Sequence, residues 1–418
     1  MNAVTIKAQL NKEYVRPGRQ TVYLMVEILT GEGKDDGGRT PVNIGFVLDR
    51  SGSMAGEKLA YTKQAVSYAV GHLRPDDYAS LTVYDNEVET LLPSQHILSK
   101  DAVKGTVSRI FPGGSTNLSG GLIAGYREVM KHNQPGQTNR VLLLTDGLAN
   151  AGITDKDILC HRAQKMRETG VSVTTLGVGN DFDEDLLTAM AEESGGNYYF
   201  IENTDMIPQI FAQELESLLS VVAQNVKLRF ASSSACQATK VWGYQPGGNT
   251  AVTMNLPDLF SSDHKFIMLE LNVRSEAAGK TELGSLTLSY DEAGEELKDV
   301  SCHIDLSVEA TEDPLLLAQP EKPEVIVQLA LSRSADIKEE AIRLADEGQV
   351  EAAATILKVQ QEAIKAACDL SPSAELVELT AEFDNLSEAL IAMERREYNA
   401  IMRKKMSFQS YQRRRNQK

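Results

Sequence analysis

Apolar and polar positions follow different periods in different parts of the chain. Residues 3–10 and 20–29 alternate apolar and polar side chains, which is typical of strands with one buried face. Residues 42–48 form a short, almost wholly apolar run, which predicts a strand that is buried on both faces. The chain is therefore expected to begin with two half-buried strands and to continue into the centre of a sheet.

From residue 42 to about residue 220, short apolar runs alternate with longer segments of helical period. This order predicts an α/β fold with an open, doubly wound, mainly parallel sheet of Rossmann-like type, covered by helices on both faces. The predicted strands are 42–48, 78–84, 140–145, 171–178 and 197–201, and the predicted helices are 57–73, 119–132, 155–169, 183–194 and 206–220.

After residue 222 the period returns to two. Six alternating segments follow, separated by turn sequences such as Pro246-Gly247-Gly248-Asn249 and Ala293-Gly294, and this spacing predicts an antiparallel β-sandwich. We expect the two N-terminal strands to complete this sandwich, so that the α/β domain is inserted within it. The six segments are 225–231, 238–244, 250–256, 264–274, 283–290 and 297–308.

The last part of the chain has helical period. Helices are predicted over 324–346 and 350–368, and a third helix carries an apolar stripe with alternating spacings of three and four residues. The stripe either closes a small helical hairpin or bundle, or forms a coiled-coil seam with a second chain. Its members are Leu376, Leu379, Phe383, Leu386, Leu390 and Met393.

These patterns divide the chain of 418 residues into several parts, in keeping with the two or three domains expected from its length. They are the N-terminal sandwich strands (1–38), the α/β domain (40–221), the β-sandwich (222–310), a proline-marked linker (311–323), and a helical region with a basic tail (324–418).

The net charge of −17 argues against nucleic-acid binding by the chain as a whole. The C-terminal segment 395–418 differs, because it holds nine Lys or Arg residues and one Glu. This basic tail has three interpretations: a solvated helix end, a segment that docks on an acidic surface of this protein or of a partner, or an arm that contacts nucleic acid.

No pattern of a secreted or membrane protein is found in the sequence. The first residues lack the basic start and apolar core of a signal peptide, and no apolar run approaches 18 residues. The four cysteines are scattered outside any CxxC pair, which favours free thiols in a reducing compartment over a zinc site. We therefore expect a cytoplasmic protein. The cysteines are Cys160, Cys236, Cys302 and Cys368.

Three short loops carry the candidate chemistry. Asp49-Arg50-Ser51-Gly52-Ser53 and Thr145-Asp146-Gly147 each follow an apolar strand, and Gly113-Gly114-Ser115-Thr116 lies in a glycine-rich loop. Ligands of doubly wound sheets collect at the carboxyl ends of the strands. Two carboxylates and three hydroxyls form an all-oxygen set that suits a hard divalent cation. The sequence thus predicts a site for Mg²⁺, with Mn²⁺ or Ca²⁺ as alternatives, at Asp49, Ser51, Ser53, Thr116 and Asp146.

Each loop alone has a simpler interpretation, as a helix cap, an ordinary loop or a strand-ending turn. In this order and within a β/α pattern, however, the three loops resemble the von Willebrand factor type A (VWA) domain and its metal-ion-dependent adhesion site, over about residues 40–220. The resemblance implies that Ser51, Ser53 and Thr116 bind the cation directly, and that Asp49 and Asp146 act mostly through water.

The wider arrangement of the chain resembles bacterial VWA proteins often labelled calcium-activated-chloride-channel-like, and more distantly the inter-α-trypsin-inhibitor heavy chains. A cation held by neutral hydroxyls stays electrophilic toward an outside oxygen ligand, such as an Asp or Glu of a partner protein. We therefore expect a non-enzymatic, metal-dependent protein-binding module. Family association suggests a scaffold or adaptor for an AAA+ ATPase of the MoxR type or for a Ser/Thr kinase–phosphatase system.

Two other functions stay open from the sequence. In the first, the metal site binds a neighbouring copy, so that the chain is a self-assembling structural subunit. In the second, the chain is a Mg²⁺-dependent phosphohydrolase with Asp49 as nucleophile, although Ser51 stands where a second carboxylate would be useful.

An acidic cluster at residues 181–185 also has two interpretations, a calcium site or the first turn of helix 183–194, and we expect the second because acidic side chains favour a helix N-terminus. The cluster consists of Asp181, Asp183, Glu184 and Asp185.

Overall fold

The chain begins with strands that belong to two mainly antiparallel sheets. The computed structural model describes residues 4–31, 41–134, 136–244, 251–292, 298–392 and 400–415. The first elements are β1 (Val4–Leu10), β2 (Tyr14–Val15) and β3 (Gly18–Thr30). The predicted turns at 246–249 and 293–294, and the predicted stripe residue Met393, lie outside the described residues.

A six-stranded sheet follows, with the strand order β6-β5-β4-β7-β8-β9, in which β6 is antiparallel and the other strands are parallel. The order places β4 between β5 and β7, so the sheet changes its winding direction beside β4. The strands are β4 (Val42–Asp49), β5 (Tyr78–Tyr84), β6 (Val88–His96), β7 (Thr138–Thr145), β8 (Val171–Val178) and β9 (Tyr198–Ile201).

Helices cover both faces of this sheet. Phe46 and Leu48 of β4 belong to an apolar cluster with α1, α2 and α6, whereas Val47 belongs to a second cluster with α3, α4 and α5. These are α1 (Glu57–His72), α2 (Lys100–Ser108), α3 (Leu118–Met130), α4 (Lys156–Glu168), α5 (Glu184–Ser194) and α6 (Ile207–Leu219). The predicted α/β fold with a mainly parallel sheet is confirmed.

A glycine brings α3 close to the central strand. A methyl group at Gly125 would lie 2.1 Å from Cγ2 of Val47, so a larger residue would push the helix away from β4.

Strand β6 and helix α2 were not predicted. The mixed burial of β6 suits a sheet edge, where one-sided alternation is weak.

The remaining strands form two mainly antiparallel sheets, in the orders β1-β3-β14-β11 and β12-β10-β15-β16-β2. Strand β13 pairs with β10, and the short strand β2 runs parallel to β16. Strand β3, which precedes the parallel sheet in the chain, pairs along its length with β14, which follows it. Apolar side chains of both sheets form one cluster. The strands are β10 (Val221–Ser232), β11 (Cys236–Val241), β12 (Ala251–Asn255), β13 (Leu259–Phe260), β14 (His264–Ser275), β15 (Gly279–Glu292) and β16 (Lys298–Ala310). The division of the chain into domains stays a prediction.

The C-terminal part is helical. Leu376, Leu379, Phe383 and Leu390 of the predicted stripe are fully buried in the cluster between α8, α9 and α10, so here the stripe closes a helical unit within one chain. No helix among the described residues is long and apolar enough to cross a membrane. The helices are α7 (Pro314–Leu317), α8 (Pro323–Asp346), α9 (Val350–Leu370), α10 (Ala374–Ala392) and α11 (Ala400–Arg415).

Helix α11 contains the described part of the basic tail, and it lies against the acidic surface of the same chain. Its Arg403 pairs with Asp185 of α5 at 2.9 Å and with Asp346 of α8 at 3.0 Å. Tyr411 of α11 is fully buried beside β9. Of the three interpretations of the tail, the structure therefore shows docking on the protein's own surface and not a solvated helix end. Arg395, Arg396 and Lys418 lie outside the described residues.

The acidic cluster at residues 181–185 lies at the start of helix α5, as expected from the sequence. Asp183 caps α5 by accepting a hydrogen bond from the backbone N–H of Leu186 at 2.9 Å, and Glu184 and Asp185 occupy the first helical turn. Both carboxylates of that turn also pair with cations of α11.

Candidate metal centre

The site is built around Asp49, the last residue of the central strand β4. Its side chain is fully buried, and its two oxygens accept hydrogen bonds from the backbone N–H of Ser51 at 2.8 Å and from Oγ1 of Thr145 at 2.7 Å. Burial raises the pKa of the Asp49 carboxyl, while the hydrogen bonds from Ser51 and Thr145 oppose that rise. A buried carboxylate of this kind favours a neighbouring cation.

The two serines of the first loop connect Asp49 to the neighbouring strand. Oγ of Ser51 lies 3.1 Å from Oγ of Ser53, and Oγ of Ser53 donates to Oδ1 of Asp146 at 2.7 Å. The 3.1 Å distance brings the two serine hydroxyls to one side of the loop, which contains a 3₁₀ turn at Gly52–Met54. Since Asp146 follows β7, the strand next to β4, hydrogen bonds connect these four residues across adjacent strand ends, with the backbone N–H of Ser51 as the link to Asp49.

Thr116 completes the set from the glycine-rich loop. A methyl group at Gly147 would lie 3.5 Å from Oγ1 of Thr116 and 3.9 Å from Oγ of Ser53, so both hydroxyls border the same small space. The backbone N–H of Thr116 donates to Oδ1 of Asn150 at 2.9 Å, which ties this loop to the segment after β7. The structure thus brings all five predicted site residues to one end of the sheet.

Access to the site is one-sided. Asp49 and Asp146 are inaccessible to solvent, Ser51 and Thr116 are nearly so, and Ser53 is exposed. A cation held among these groups would have protein oxygens behind it and solvent in front of it.

Asp85, which the sequence analysis did not single out, holds the glycine-rich loop in place. Its Oδ2 accepts from Nε of Arg50 at 3.2 Å and from the backbone N–H of Gly114 at 3.4 Å. A methyl group at Gly113 would lie only 1.6 Å from the same oxygen, so the loop approaches Asp85 as closely as glycine permits. A signal was present in the sequence, because Asp85 follows the apolar strand β5 just as Asp49 ends β4.

Backbone hydrogen bonds join the first loop and the glycine-rich loop directly. The N–H of Gly113 donates to the carbonyl of Arg50 at 2.6 Å, and the N–H of Gly52 donates to the carbonyl of Gly114 at 2.9 Å. The position of Thr116 relative to the serines is therefore set by main-chain contacts as well as by Asp85.

Lys58 is a second residue that the sequence analysis missed. It lies in the first turns of α1, and its Nζ donates to Oδ2 of Asp146 at 2.5 Å. Asp146 thus accepts from a serine hydroxyl on one oxygen and from an ammonium group on the other. The only sequence signal was a lysine five residues after Ser53, which is also an ordinary surface position on a helix.

The donor set fits a hard divalent cation. Its oxygens are three hydroxyls and two carboxylates at one end of the sheet, and Mg²⁺, Mn²⁺ and Ca²⁺ all prefer oxygen ligands. Across the described ranges, no group of three or more His, Cys, Asp or Glu side chains could hold a metal ion. Binding of a cation by the three hydroxyls together with the two carboxylates stays a prediction.

Comparisons with known proteins agree with this fold. Residues 43–213 match the sequence pattern of the von Willebrand factor type A domain. The chain is 31% identical over 219 residues to the uncharacterized protein YfbK of Escherichia coli (strain K12). The aligned region covers 52% of this chain and 38% of that protein. It is 25% identical over 368 residues to the uncharacterized protein sll0103 of Synechocystis, covering 85% of this chain and 86% of that one.

The resemblance to inter-α-trypsin-inhibitor heavy chains is also confirmed. Heavy chain H1 of Bos taurus is 25% identical over 267 residues, or 62% of this chain and 29% of the bovine protein. The chain thus spans well under half of the E. coli and bovine relatives but most of the Synechocystis one.

Two solved structures share the fold over most of the chain. The von Willebrand factor type A protein from Catenulispora acidiphila has a TM-score of 0.69 at 17% identity, covering 92% of this chain and 88% of that one. The ArnB paralog VWA2 from Sulfolobus acidocaldarius has a TM-score of 0.64 at 16% identity, covering 98% of each chain. Residues 43–213 therefore match the von Willebrand factor type A domain in sequence, and the fold of the chain agrees with that match.

Proposed function

We propose that this protein is a non-enzymatic binding module that captures a partner protein through a divalent cation, with Mg²⁺ as the expected ion. VWA domains are in general metal-dependent protein-interaction modules. In this chain Ser51, Ser53 and Thr116 would bind the cation directly, and Asp49 and Asp146 would act through water. The observation that carries the proposal is the continuous contact from Asp49 through Ser51 and Ser53 to Asp146.

The charge of the ligands explains why such a site would accept a partner carboxylate. Hydroxyls carry no formal charge, so the negative charges near the cation would be those of the two buried carboxylates behind it, one of which already pairs with Lys58. An open coordination position on the solvent side then favours an anionic oxygen, such as the side chain of an Asp or Glu of another protein.

Two exposed apolar side chains flank the loops of the site and provide a contact for residues around that carboxylate. Phe111 is 72% exposed two residues before Gly113, and Leu148 is 56% exposed directly after Gly147. A protein-binding surface commonly combines an apolar contact with a charged one. We therefore expect the partner segment to carry an apolar residue close to its Asp or Glu. The AAA+ ATPase and kinase–phosphatase partners stay predictions from the family resemblance.

The test begins with direct metal binding. We expect calorimetric titration of the full chain to detect Mg²⁺ binding, which is lost when Ser51→Ala and Ser53→Ala are combined. Ser115→Ala is the matched control, because Ser115 is an exposed hydroxyl beside Thr116 that is not a predicted ligand. A wild-type chain that binds no divalent cation would contradict the proposal.

Partner capture is tested next, with immobilised full chain in Mg²⁺ and elution by a chelator. A protein found in the eluate is then purified, and its Asp and Glu residues are replaced by Asn and Gln to find the one that the site requires. We expect the double serine variant to capture nothing and the Ser115→Ala variant to behave as wild type. Capture that a chelator does not reverse argues against the metal-dependent mechanism.

The alternative functions give different results in the same preparation. A phosphohydrolase would release phosphate from a generic ester in Mg²⁺ and lose that activity in Asp49→Asn. A self-assembling subunit would change its mass in solution when the chelator is added.

A further inference from the structure

Lys58 places a fixed positive charge on the candidate metal centre. Its Nζ contacts Oδ2 of Asp146, its side chain is 25% exposed, and Asp146 is fully buried. A methyl group at Gly179 would lie 3.7 Å from Nζ, so the amine lies between the segment after β7 and the segment after β8. The ammonium group is therefore part of the wall of the site and not a freely moving surface charge.

The charges around the site can be counted from the contacts. Asp49 and Asp146 contribute two negative charges, and Lys58 contributes one positive charge. Arg50 does not enter this count, because it pairs with Asp85 at 3.2 Å and with Glu89 at 3.1 Å. Without a cation the group has a net charge of −1, and with a divalent cation it has a net charge of +1. If Lys58 were neutral, the loaded site would have no net charge.

We propose that Lys58 sets the charge of the metal centre. It lowers the protein's own affinity for the divalent cation. It also leaves the loaded site with one unmatched positive charge, which a partner carboxylate then neutralises. The inference rests on the proposed function, because it concerns the same site. Lys58 also positions Asp146, since the amine engages Oδ2 while Oδ1 accepts from Ser53.

The expected effect follows from Coulomb's law. A unit charge a few ångströms from a divalent ion changes its binding substantially even at the effective dielectric of a site near the surface, so its removal should tighten binding by about tenfold or more. A residue that only holds the fold together would have the opposite effect, because its loss would loosen the site.

The experiment is a titration of the full chain with Mn²⁺ followed by electron paramagnetic resonance, repeated with Mg²⁺ by calorimetry. We expect Lys58→Met and Lys58→Gln to bind both ions more tightly than wild type, and Lys58→Arg to bind them about as wild type. Lys63→Met is the matched control: this lysine also lies on α1, but its Nζ donates to the carbonyl of Ser108 at 3.2 Å. Its removal should leave the affinity unchanged.

The outcomes separate the inference from the proposed function. Unchanged or weaker binding in both Lys58→Met and Lys58→Gln, with wild-type circular dichroism, overturns the role of Lys58 while the metal site stands. Absence of binding in wild type overturns the proposed function itself. A second measurement is the melting temperature in chelator and in Mg²⁺, and we expect the gain on adding Mg²⁺ to be larger in Lys58→Met than in wild type.

Discussion

Asp49 is a carboxylate that ends a buried strand and has no contact with solvent. Burial raises its pKa, and the nearby Asp146 adds to that rise, although the hydrogen bonds from Ser51 and Thr145 oppose it. A charge in this environment lowers the stability of the metal-free protein, and a bound cation would relieve that cost. The residues that suit a metal site are thus unfavourable without one.

Replacement of Asp49 by Asn tests whether the buried carboxylate destabilises the metal-free protein. We expect Asp49→Asn to melt in chelator at a temperature equal to or above that of wild type, because a neutral amide is less costly to bury. The hydroxyl of Thr145 can adapt, since it also lies 3.3 Å from the carbonyl of Gly147. Addition of Mg²⁺ should raise the melting temperature of wild type by a few degrees and leave the variant unchanged, as scanning calorimetry would show. A variant that still gains stability from Mg²⁺ would contradict the placement of Asp49 at the metal.

Gly113 offers a steric test of the glycine-rich loop. Gly113→Ala places a methyl group on the carboxylate of Asp85, so the loop must move and take Thr116 with it. We expect Mg²⁺ affinity measured by calorimetry to fall by about tenfold or more, because Thr116, the proposed direct ligand, is displaced by a distance on the order of an ångström. Gly105→Ala is the control, because a methyl group there meets open space. Equal affinity in the two variants would show that the position of this loop does not matter for the metal.

At the scale of elements, α11 completes the edge of the parallel sheet. The hydroxyl of Tyr411 accepts a hydrogen bond from the backbone N–H of Tyr198 at 3.0 Å and lies 3.3 Å from the carbonyl of Gly196, to which it donates. Phe408 packs edge-on against Tyr198 at 5.7 Å between ring centroids. A single helix side chain thus satisfies backbone groups that an edge strand would otherwise leave unpaired.

The phenol of Tyr411 should therefore contribute measurably to stability. Tyr411→Phe keeps the ring but leaves a buried N–H and a buried carbonyl without this partner, which we expect to lower the free energy of unfolding by about 1–3 kcal/mol. Urea unfolding followed by circular dichroism measures this change. Lys405→Ala on the same helix is the control, because its ion pair with Glu202 is half exposed and contributes little. Mg²⁺ affinity should be the same in both variants, and a lower affinity in Tyr411→Phe would indicate that α11 acts on the metal centre.

At the scale of the whole molecule, a buried ion pair joins the parallel sheet to the antiparallel sheets. Nη2 of Arg140 on β7 lies 3.1 Å from Oδ2 of Asp258, and Arg140 is 1% exposed. Burial raises the pKa of Asp258, and Arg140 counteracts that rise. Arg167 of α4 makes a second link, by donating to the carbonyl of Leu256 at 2.8 Å.

Removal of Arg140 should lower the stability of the protein. In Arg140→Met the Asp258 carboxylate is left without its partner, which we expect to lower the free energy of unfolding at neutral pH by about 3–5 kcal/mol. Because the folded-state pKa of Asp258 already lies above its ordinary value and would rise further, the folded variant gains a proton as the pH falls. The deficit relative to wild type should therefore shrink toward acidic pH, which urea unfolding at several pH values would test.

The double variant Arg140→Met with Asp258→Asn provides the control for that experiment. With both charges of the Arg140–Asp258 pair removed, its stability should be higher than that of the single variant, and the pH dependence that comes from Asp258 should be lost. A single variant that is as stable as wild type at neutral pH would show that the pair is not needed to hold the sheets together.

Much of the fold could be predicted because its elements are encoded locally. The run Val42–Asp49 is apolar at nearly every position, so its burial on both faces follows from composition alone. Helix α5 was placed within a residue of its observed limits, because Asp183 caps its start and Gly195 adopts a left-handed conformation at its end. Strand β6 was missed because its edge position leaves no strict alternation.

The sequence by itself determined the oxygen donors of the site, their order along the chain, and the strand ends on which they lie, since loops that follow parallel strands meet at one edge of the sheet. Only the tertiary structure decided that Lys58 contacts Asp146, that Asp85 holds the glycine-rich loop, and that α11 lies on β9. The physical reason is that periodicity and capping act between residues a few positions apart. A salt bridge or a packed helix depends on which distant segments the complete fold brings into contact.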